Sequence, residues 1–393
     1  MAVQFDFKQE ASALGDQLVA WRRDFHKHPE LSFKEKRTAG VIAENLRDLG
    51  FEVETGIAET GVVGLLEGAQ SGPVVMLRFD LDALPVMEEN ETDYVSENPG
   101  VMHACGHDAH MAIGLGVATL MARHREALQG TLKLVFQPAE ENGDGAKTMI
   151  EEGVLEDPRP DVVLTTHVWN TLPVGKVDVT PGPVMAAAEM WRCVIRGDGG
   201  HGALPQQTVD PIVAMAQIVT ALQTIVSRNV SPLDTAVVSV GSVKGGDAFN
   251  VIPPQVELTG TIRTFDPEVR ETVLARTREI IEGVAAAHGA TADLIIKSLT
   301  PAVINDESIA EVVLGAAEAV VGPENVSTGE QTMGSEDAAF FMEEIPGFYF
   351  FLGSANAERG LDAPHHNPRF DFDEGALPIG LAVMMNAVAH YLL

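Results

Sequence analysis

The sequence predicts an α/β fold with a mostly parallel sheet, into which a second domain of βαββαβ order is inserted. Short apolar runs alternate with helical stretches, as expected for parallel strands that are covered on both faces. A middle segment alternates apolar and polar residues instead, which indicates a sheet with one exposed face. The chain has 393 residues, 45% of them hydrophobic, so a large core and two domains are expected.

The parallel sheet is predicted from four apolar runs, each typical of a buried strand. They cover residues 74–79, 132–136, 162–166 and 348–352. Helices are predicted at 16–28 and 35–48, where Pro29 and Gly50 supply stop signals, and at 112–127 and 144–152. The apolar stretch 375–393 is predicted to be a buried terminal helix, since it contains polar residues and a proline.

The inserted domain is predicted at 184–296, which leaves 1–183 and 297–393 for the α/β domain. Trp191, Cys193 and Ile195 share one face of a strand at 190–196. The elements that follow are a helix at 211–228, strands at 236–243 and 255–265, a helix at 267–288 and a strand at 292–299. This order is typical of a ferredoxin-like sandwich.

The composition excludes several classes of function. Lys and Arg number 26 against 57 Asp and Glu, and the net charge of −31 disfavours binding to nucleic acid or to a membrane surface. Two cysteines cannot form a disulfide framework, and the first residues lack a secretory signal pattern, so we expect a cytoplasmic protein. A nucleotide-binding protein is disfavoured because the sequence has no P-loop and no G-x-G-x-x-G motif after the first strand.

Metal-binding side chains follow the predicted strands of the parallel sheet, where ligands of such sheets bind. These residues are Asp80, Asp82, Glu140, Glu141, His167, His365 and His366. The segment MHACGHDAH at 102–110 adds a cysteine and three of the twelve histidines. Imidazole, thiolate and carboxylate groups bind transition metals, and more than four of them indicate more than one ion.

Each of these residues taken alone has a structural explanation. A histidine of the 102–110 segment could be a hydrogen-bonded core residue, Cys105 a small buried apolar group, and the two aspartates helix caps. The pair Glu140 and Glu141 could be a solvated turn. Their joint position at one sheet edge is harder to explain in these ways, so the sequence predicts a metal centre.

The spacing of these residues suggests their roles. Cys105 and His107 could project the same way from an extended loop, and a thiolate between two cations would have a strongly lowered pKa. Adjacent residues of an extended chain point in opposite directions, so a metal ligand at Glu141 would leave Glu140 facing the substrate as a general base. The other predicted ligands are His167 and His366.

The sequence resembles a known family, the metal-dependent aminoacylase/carboxypeptidase family, and within it the amidohydrolase branch. That branch contains hippurate hydrolases, N-acyl-amino-acid amidohydrolases and hydrolases of indole-acetyl amino acids. The most specific motifs are MHACGHDAHMA (102–112) and FQPAEE (136–141). The others include RFDLDALP (78–85), GGHGALP (199–205), NVIPP (250–254), GTIRTF (260–265), GSEDAAFF (334–341) and HHNPRFDFDE (365–374).

The resemblance implies a two-metal catalytic domain and an inserted domain that acts as a lid and forms a homodimer. It implies that the metal ligands are Cys105, His107, Glu141, His167 and His366, with Cys105 the bridge. It implies that Glu140 is the general base, that Asp82 steadies a metal ligand, and that His201, Asn250 and Arg263 contact the substrate. His201, with Asn250 as a further candidate, would stabilise the oxyanion, and Arg263 would bind the substrate carboxylate.

The implied reaction is the hydrolysis of the amide bond of N-acyl amino acids by a metal-bridging water that Glu140 activates. The two ions would be zinc or manganese. The alternative within enzymes is a dipeptidase or carboxypeptidase with the same chemistry. A non-catalytic metal-dependent binding protein is a further alternative, which loss of Glu140 or of a ligand would indicate, and none is lost. Gln206 stands where many members carry a histidine, which bears on the lid surface and not on the metal ligands.

Overall fold

The computed structural model describes residues 5–393. The chain divides into two compact units. The first comprises the chain up to Val184, Ile304–Gln331 and Glu336–Leu393, and the second comprises Met185–Val303 and Thr332–Ser335.

In chain order, the strands are β1 (Glu52–Ile57), β2 (Gly61–Glu67), β3 (Gln70–Asp80), β4 (Gln129–Gln137), β5 (Val162–Pro173), β6 (Val177–Asp178), β7 (Gly182–Met185), β8 (Ala187–Arg196), β9 (Gly200–His201), β10 (Ala236–Lys244), β11 (Val251–Ile252), β12 (Gln255–Thr264), β13 (Thr291–Thr300), β14 (Val303–Asn305), β15 (Val326–Ser327) and β16 (Gly347–Ala355). The helices are α1 (Phe7–Ala13), α2 (Gly15–Lys27), α3 (Lys36–Asp48), α4 (His107–Arg123), α5 (Gly145–Glu151), α6 (Pro211–Thr224), α7 (Pro267–Ala287), α8 (Glu307–Val321), α9 (Ala339–Glu344) and α10 (Ala376–Leu392).

The first unit is built on an eight-stranded sheet of order β1-β2-β4-β3-β5-β16-β6-β15. The central strands β4, β3, β5 and β16 are parallel, and the hairpin β1–β2 pairs antiparallel at one side. Every residue of β16 except the last is buried, which agrees with the continuous apolar run in the sequence. The prediction of an α/β fold with a mostly parallel sheet is therefore confirmed.

The helices of the first unit cover this sheet with apolar surface. Helices α4 and α10 are buried along most of their length, and both join the core formed with the central strands. Helix α10 is the terminal helix that the sequence predicts. Helix α4 differs from the prediction, because it begins at His107 and not at residue 112.

The second unit is a four-stranded antiparallel sheet of order β10-β12-β8-β13, with α6 and α7 packed on its core. This is the strand order of a ferredoxin-like sandwich, and Trp191, Cys193 and Ile195 face the core as the alternation predicts. The predicted boundary at 296 lies inside β13. That strand continues to Thr300 because its pairing with β8 resumes after an irregularity at Ser298.

The segment Pro211–Asn229 of the second unit is long and apolar enough to cross a membrane by length and composition alone. It contains α6 and the single π-helical turn that follows it. One side packs on the core of the second unit through Ala214, Ile218 and Leu222. Apolar residues on its other side remain exposed.

Candidate metal centre

The predicted metal-binding residues of the first unit lie at the carboxyl ends of its neighbouring parallel strands. Strand β3 ends at Asp80, two residues before Asp82, and β4 ends three residues before Glu140. His167 lies in β5, which is next to β3 in the sheet. Because parallel strands end at the same edge, the topology brings these side chains together.

The five predicted ligands form two overlapping groups, in each of which the ligand atoms lie within 4.8 Å of one another. Cys105, His107 and His167 form one group, and Cys105, Glu141 and His366 form the other. The thiol of Cys105 belongs to both and lies 3.4 Å from His167 Nε2. His366 Nε2 lies 3.5 Å from Glu141 Oε1.

In His107 and His167, hydrogen bonds to backbone carbonyls occupy Nδ1 and leave Nε2 to bind metal. His107 Nδ1 donates to the carbonyl of Asp82 at 2.8 Å, and His167 Nδ1 donates to the carbonyl of Val168 at 2.6 Å. In the neutral form of each ring, Nε2 therefore carries the lone pair. His107 Nε2 and Glu141 Oε1 are buried without a hydrogen-bond partner, which is costly unless a cation binds there. These residues fit a metal centre.

The electrostatics of the cluster agree with a site for cations. Burial raises the pKa of the Cys105 thiol, and the carboxylates of Glu141 and Glu140 raise it further. Burial opposes protonation of His107, but Asp80 and Asp82 outweigh it and raise its pKa to about 10. A cation would displace the protons of both groups, because a metal binds a thiolate and a neutral imidazole.

The local backbone differs from the extended conformations that the sequence suggested. Gly106 has φ +91°, in the left-handed region, so Cys105 ends a loop and His107 begins α4. Glu140 and Glu141 lie in a tight turn that the bond from Gly143 N to the Glu140 carbonyl closes. The argument that extended neighbours point apart is therefore wrong here, and both carboxylates lie within 4.8 Å of His107.

Asp82 holds the backbone of this turn. Its Oδ1 accepts from the backbone N–H of Glu140 at 3.1 Å, and its Oδ2 accepts from that of Glu141 at 3.1 Å and from Ser32 Oγ at 2.7 Å. The expected contact with a metal ligand is made by its carbonyl, which accepts from His107. Asp82 thus connects His107 with both members of the Glu140–Glu141 pair.

Glu140 lies beside further carboxylates that the sequence did not single out as site residues. Its carboxylate is within 4.8 Å of those of Glu336 and Asp337. Burial raises the pKa of Glu140, and Glu336 and Glu141 add to the effect, whereas Arg78 opposes it. Arg78 is buried and makes ion pairs with Glu336 at 2.9 Å and with Asp337 at 3.1 Å.

The remaining histidines of the 102–110 segment do not have the same arrangement as His107. His110 Nδ1 donates to Asp80 at 2.6 Å, and its Nε2 accepts from the backbone N–H of Val168 at 3.0 Å. Both of its ring nitrogens are thus occupied within the protein. His103 is buried with neither nitrogen hydrogen-bonded, and burial lowers its pKa to about 4.

The predicted substrate-binding residues belong to the second unit. His201 lies in β9, which pairs with β11, and Asn250 immediately precedes β11; both residues are exposed. Gly202 lies against Asn250, where a Cβ would come within 2.9 Å of the Asn250 carbonyl oxygen, so the glycine is required by the protein's own packing. Arg263 lies apart from this pair in β12, half-buried, with Nε donating to Thr261 Oγ1 at 3.2 Å.

Comparison with known proteins identifies relatives along nearly the whole chain. An N-acetylcysteine deacetylase of Bacillus subtilis is 40% identical over 93% of this chain and 94% of its own length. Thermostable carboxypeptidase 2 of Saccharolobus solfataricus is 37% identical over 98% of this chain and 96% of its own. The crystal structure of B. subtilis YxeP, described as a dinuclear metal binding peptidase of family M20, matches with a TM-score of 0.84 at 36% identity, covering 97% of this chain and 99% of that one.

The family model for peptidases M20/M25/M40 matches residues 76–390. That range includes the five predicted metal ligands, the Glu140–Glu141 turn and the second unit. The resemblance inferred from the motifs is thus confirmed. The chain is a member of peptidase family M20/M25/M40, and it is a metal-dependent amidohydrolase.

Proposed function

We propose that this enzyme hydrolyses the amide bond of N-acyl amino acids, releasing a free amino acid and a carboxylic acid. The observation that carries the proposal is the position of Glu140 beside two overlapping groups of metal-binding atoms that share Cys105. Such an arrangement suits water activation next to a polarised carbonyl. A relative named N-acetylcysteine deacetylase supports the choice of an acylated amino acid as substrate.

The metal ligands that we propose are Cys105, His107, Glu141, His167 and His366. They would hold two divalent ions, zinc or manganese, because thiolate and imidazole favour zinc whereas carboxylate and imidazole also suit manganese. Bound ions supply Lewis-acid polarisation of the scissile carbonyl and a lowered pKa for water. The overlap of the two groups at Cys105 favours this residue as the bridge.

The protein's own groups would then move the proton and bind the substrate. Glu140 takes a proton from water and delivers it to the leaving amine, a role that suits a carboxylate with a raised pKa. His201 and Asn250, which both belong to the second unit, would donate hydrogen bonds to the oxyanion. Arg263 would bind the free carboxylate of the substrate through its planar guanidinium.

A release assay across substrate classes tests the proposal. Metal-stripped enzyme, reloaded with zinc or manganese, is offered N-acetyl, N-benzoyl and N-lauroyl amino acids together with dipeptides. We expect turnover of at least one N-acyl series, no turnover in the stripped enzyme, and none with the Glu140→Gln control. Turnover of dipeptides alone would contradict the proposal. It would favour a dipeptidase or carboxypeptidase, which the relative named thermostable carboxypeptidase 2 supports as second candidate.

We also propose that the enzyme is a homodimer that forms through the second unit. Strand β10 is at the edge of the four-stranded sheet, so its outer N–H and C=O groups are available for pairing. Exposed apolar residues of the same unit include Ile212, Val213, Val226, Leu233, Val243 and Phe249. Light scattering should give twice the monomer mass, and a monomer at micromolar concentration would contradict the proposal.

A further inference from the structure

Ala139, the residue before Glu140, has a backbone conformation that alanine rarely adopts. Its φ is +55°, in the left-handed region, and its side chain is buried. The residue directs the chain from the end of β4 into the turn that contains Glu140 and Glu141. Whatever stabilises this conformation therefore also sets the positions of these two carboxylates.

The carboxylate of Glu35 contacts the backbone at this position. Glu35 Oε1 accepts from the N–H of Ala139 at 3.0 Å, and Oε2 accepts from Thr60 Oγ1 at 2.6 Å. Glu35 is fully buried, although it lies directly before α3. A helix start could explain an acidic residue there, but Glu30 already accepts from the N–H groups of Arg37 and Thr38.

Two more carboxylates hold the rest of the turn. Asp82 accepts from the backbone N–H groups of Glu140 and Glu141, and Asp337 Oδ2 accepts from that of Ala146 at 2.9 Å. The backbone from Ala139 to Ala146 is thus held at its first three residues and at its last by side chains from three distant parts of the first unit. Of the three, Glu35 is the one that contacts the left-handed residue.

We infer that Glu35 is a positioning residue of the catalytic turn: its bond to Ala139 N–H holds the left-handed conformation that places Glu140 for proton transfer and Glu141 for metal binding. The inference rests on the proposed function for the roles of Glu140 and Glu141. Removal of a group that orients a metal ligand without itself binding the metal typically changes metal affinity or activity by ~10–100-fold.

The test compares Glu35→Ala and Glu35→Gln with the matched control Thr60→Val. Glutamine keeps an amide oxygen for Ala139 N–H, and its NH₂ can donate to Thr60, whose hydroxyl also accepts. Thr60→Val removes the second partner of Glu35 and leaves the bond to Ala139 intact. All variants are measured for kcat, KM, metal dissociation constant by chelator competition, and urea unfolding.

We expect Glu35→Ala to lower kcat and to weaken metal binding, each by ~10–100-fold, with KM little changed. Glu35→Gln should restore both quantities to near the parental values. Thr60→Val should lower stability only. If Glu35→Ala does not fold, Glu35→Asp, which keeps the charge but withdraws the oxygen from Ala139, should show the same two losses to a smaller extent.

A second experiment tests whether Glu35 acts on Glu140 and Glu141 through the left-handed conformation of Ala139. Glycine adopts positive φ without steric cost, so Ala139→Gly should reduce the losses that Glu35→Ala causes when the two are combined. Loss of stability alone in Glu35→Ala, with kcat and metal affinity unchanged, would overturn the inference, as would equal losses in Glu35→Gln. The metal measurement needs no substrate, so it stands even if the parental enzyme does not cleave N-acyl amino acids.

Discussion

Arg22 of α2 is predicted to be a major source of stability in the first unit. It is fully buried and makes ion pairs with Asp108 at 2.8 Å, with Asp371 at 2.8 Å and with Glu374 at 3.3 Å. Asp108 follows the predicted ligand His107, and the two other acids follow the HHN segment that contains His366. One guanidinium thus connects two of the segments that contain predicted metal ligands.

The loss in free energy of unfolding expected for Arg22→Met follows from the buried carboxylates that lose their partner. Asp108 would keep the bond to His26 Nδ1 at 2.7 Å, and Asp371 would keep the bond from Tyr94 Oη at 2.7 Å, but both would remain buried without the guanidinium. Removal of one partner from a buried ion pair typically costs ~3–5 kcal/mol. This is a large part of a typical free energy of unfolding of ~5–15 kcal/mol.

The neighbouring residue provides a matched control. Arg23 pairs with Glu374 at 2.7 Å, but its side chain is 38% exposed. Ion pairs at that exposure contribute ~0–1 kcal/mol, so Arg23→Met should change the free energy of unfolding little. The same substitution at adjacent positions, with Glu374 a shared partner, therefore separates the effect of burial from the loss of a charge.

The pH dependence gives the sign of the effect. Burial would raise the pKa of Asp108, but Arg22 and His26 outweigh it and lower that pKa below its value of ~3.9 in an unfolded chain. A carboxyl with a depressed pKa contributes stability that is present above the unfolded pKa and lost as pH falls. The stability difference between parent and Arg22→Met should therefore be largest near neutral pH and shrink below about pH 4.

Urea unfolding with a chelator present, followed by circular dichroism at pH 7 and at about pH 3, measures these quantities. Equal losses in Arg22→Met and Arg23→Met would refute the reasoning. So would a difference that grows as the pH is lowered.

The remaining predictions concern the catalytic centre and the second unit. Cys105→Ala and His107→Ala should each lower bound metal and abolish turnover in a folded protein; elemental analysis that finds full metal content in both would contradict the ligand assignment. Glu140→Gln should keep its metal and lose ~10²–10⁴-fold in kcat, whereas Glu141→Gln should lose metal; the opposite pattern would show that the two roles are reversed. If the dimer places His201 in the partner's site, mixed Glu140→Gln and His201→Ala subunits should recover part of the activity, and a mixture that exchanges subunits but stays inactive would contradict this.

The central strands could be predicted from the sequence because they are buried on both faces. Parallel strands in this position are mostly apolar, so each of β3, β4, β5 and β16 contains one of the four runs. The residues that follow such strands lie at one edge of the sheet. The sequence could therefore predict that several ligands of the first unit belong to one site. The hairpin β1–β2 was missed, because β1 is largely exposed and contains three polar residues among six.

The start of α4 could not be placed from the sequence. Its first turn, His107 to His110, contains polar side chains that are typical of a loop. In the fold these side chains are buried, because Asp108 binds Arg22 and His110 binds Asp80. Both partners come from other elements, and sequence spacing says nothing about them.

The buried charged residues next to the site were not predicted, for the same reason, although one of them can be recognised in the sequence. Arg78 interrupts the apolar run VVMLRFD of β3, and a buried guanidinium in a central strand requires acidic partners. Those partners include Glu336 and Asp337, more than 250 residues away along the chain. A buried arginine in a predicted strand therefore indicates that carboxylates lie nearby, but not which ones.

The excess of carboxylates around the turn gives a physical reason for the proposed binding of more than one cation. Asp80, Glu140, Glu141, Glu336 and Asp337 lie close together, and Arg78 is the cation that pairs with three of them. One guanidinium cannot balance this charge. Burial raises the pKa of Asp337 to about 8 and Glu336 adds to the effect, whereas Arg78 opposes it. Divalent ions bound by the two ligand groups that share Cys105 would supply the missing positive charge. Their binding should then release protons.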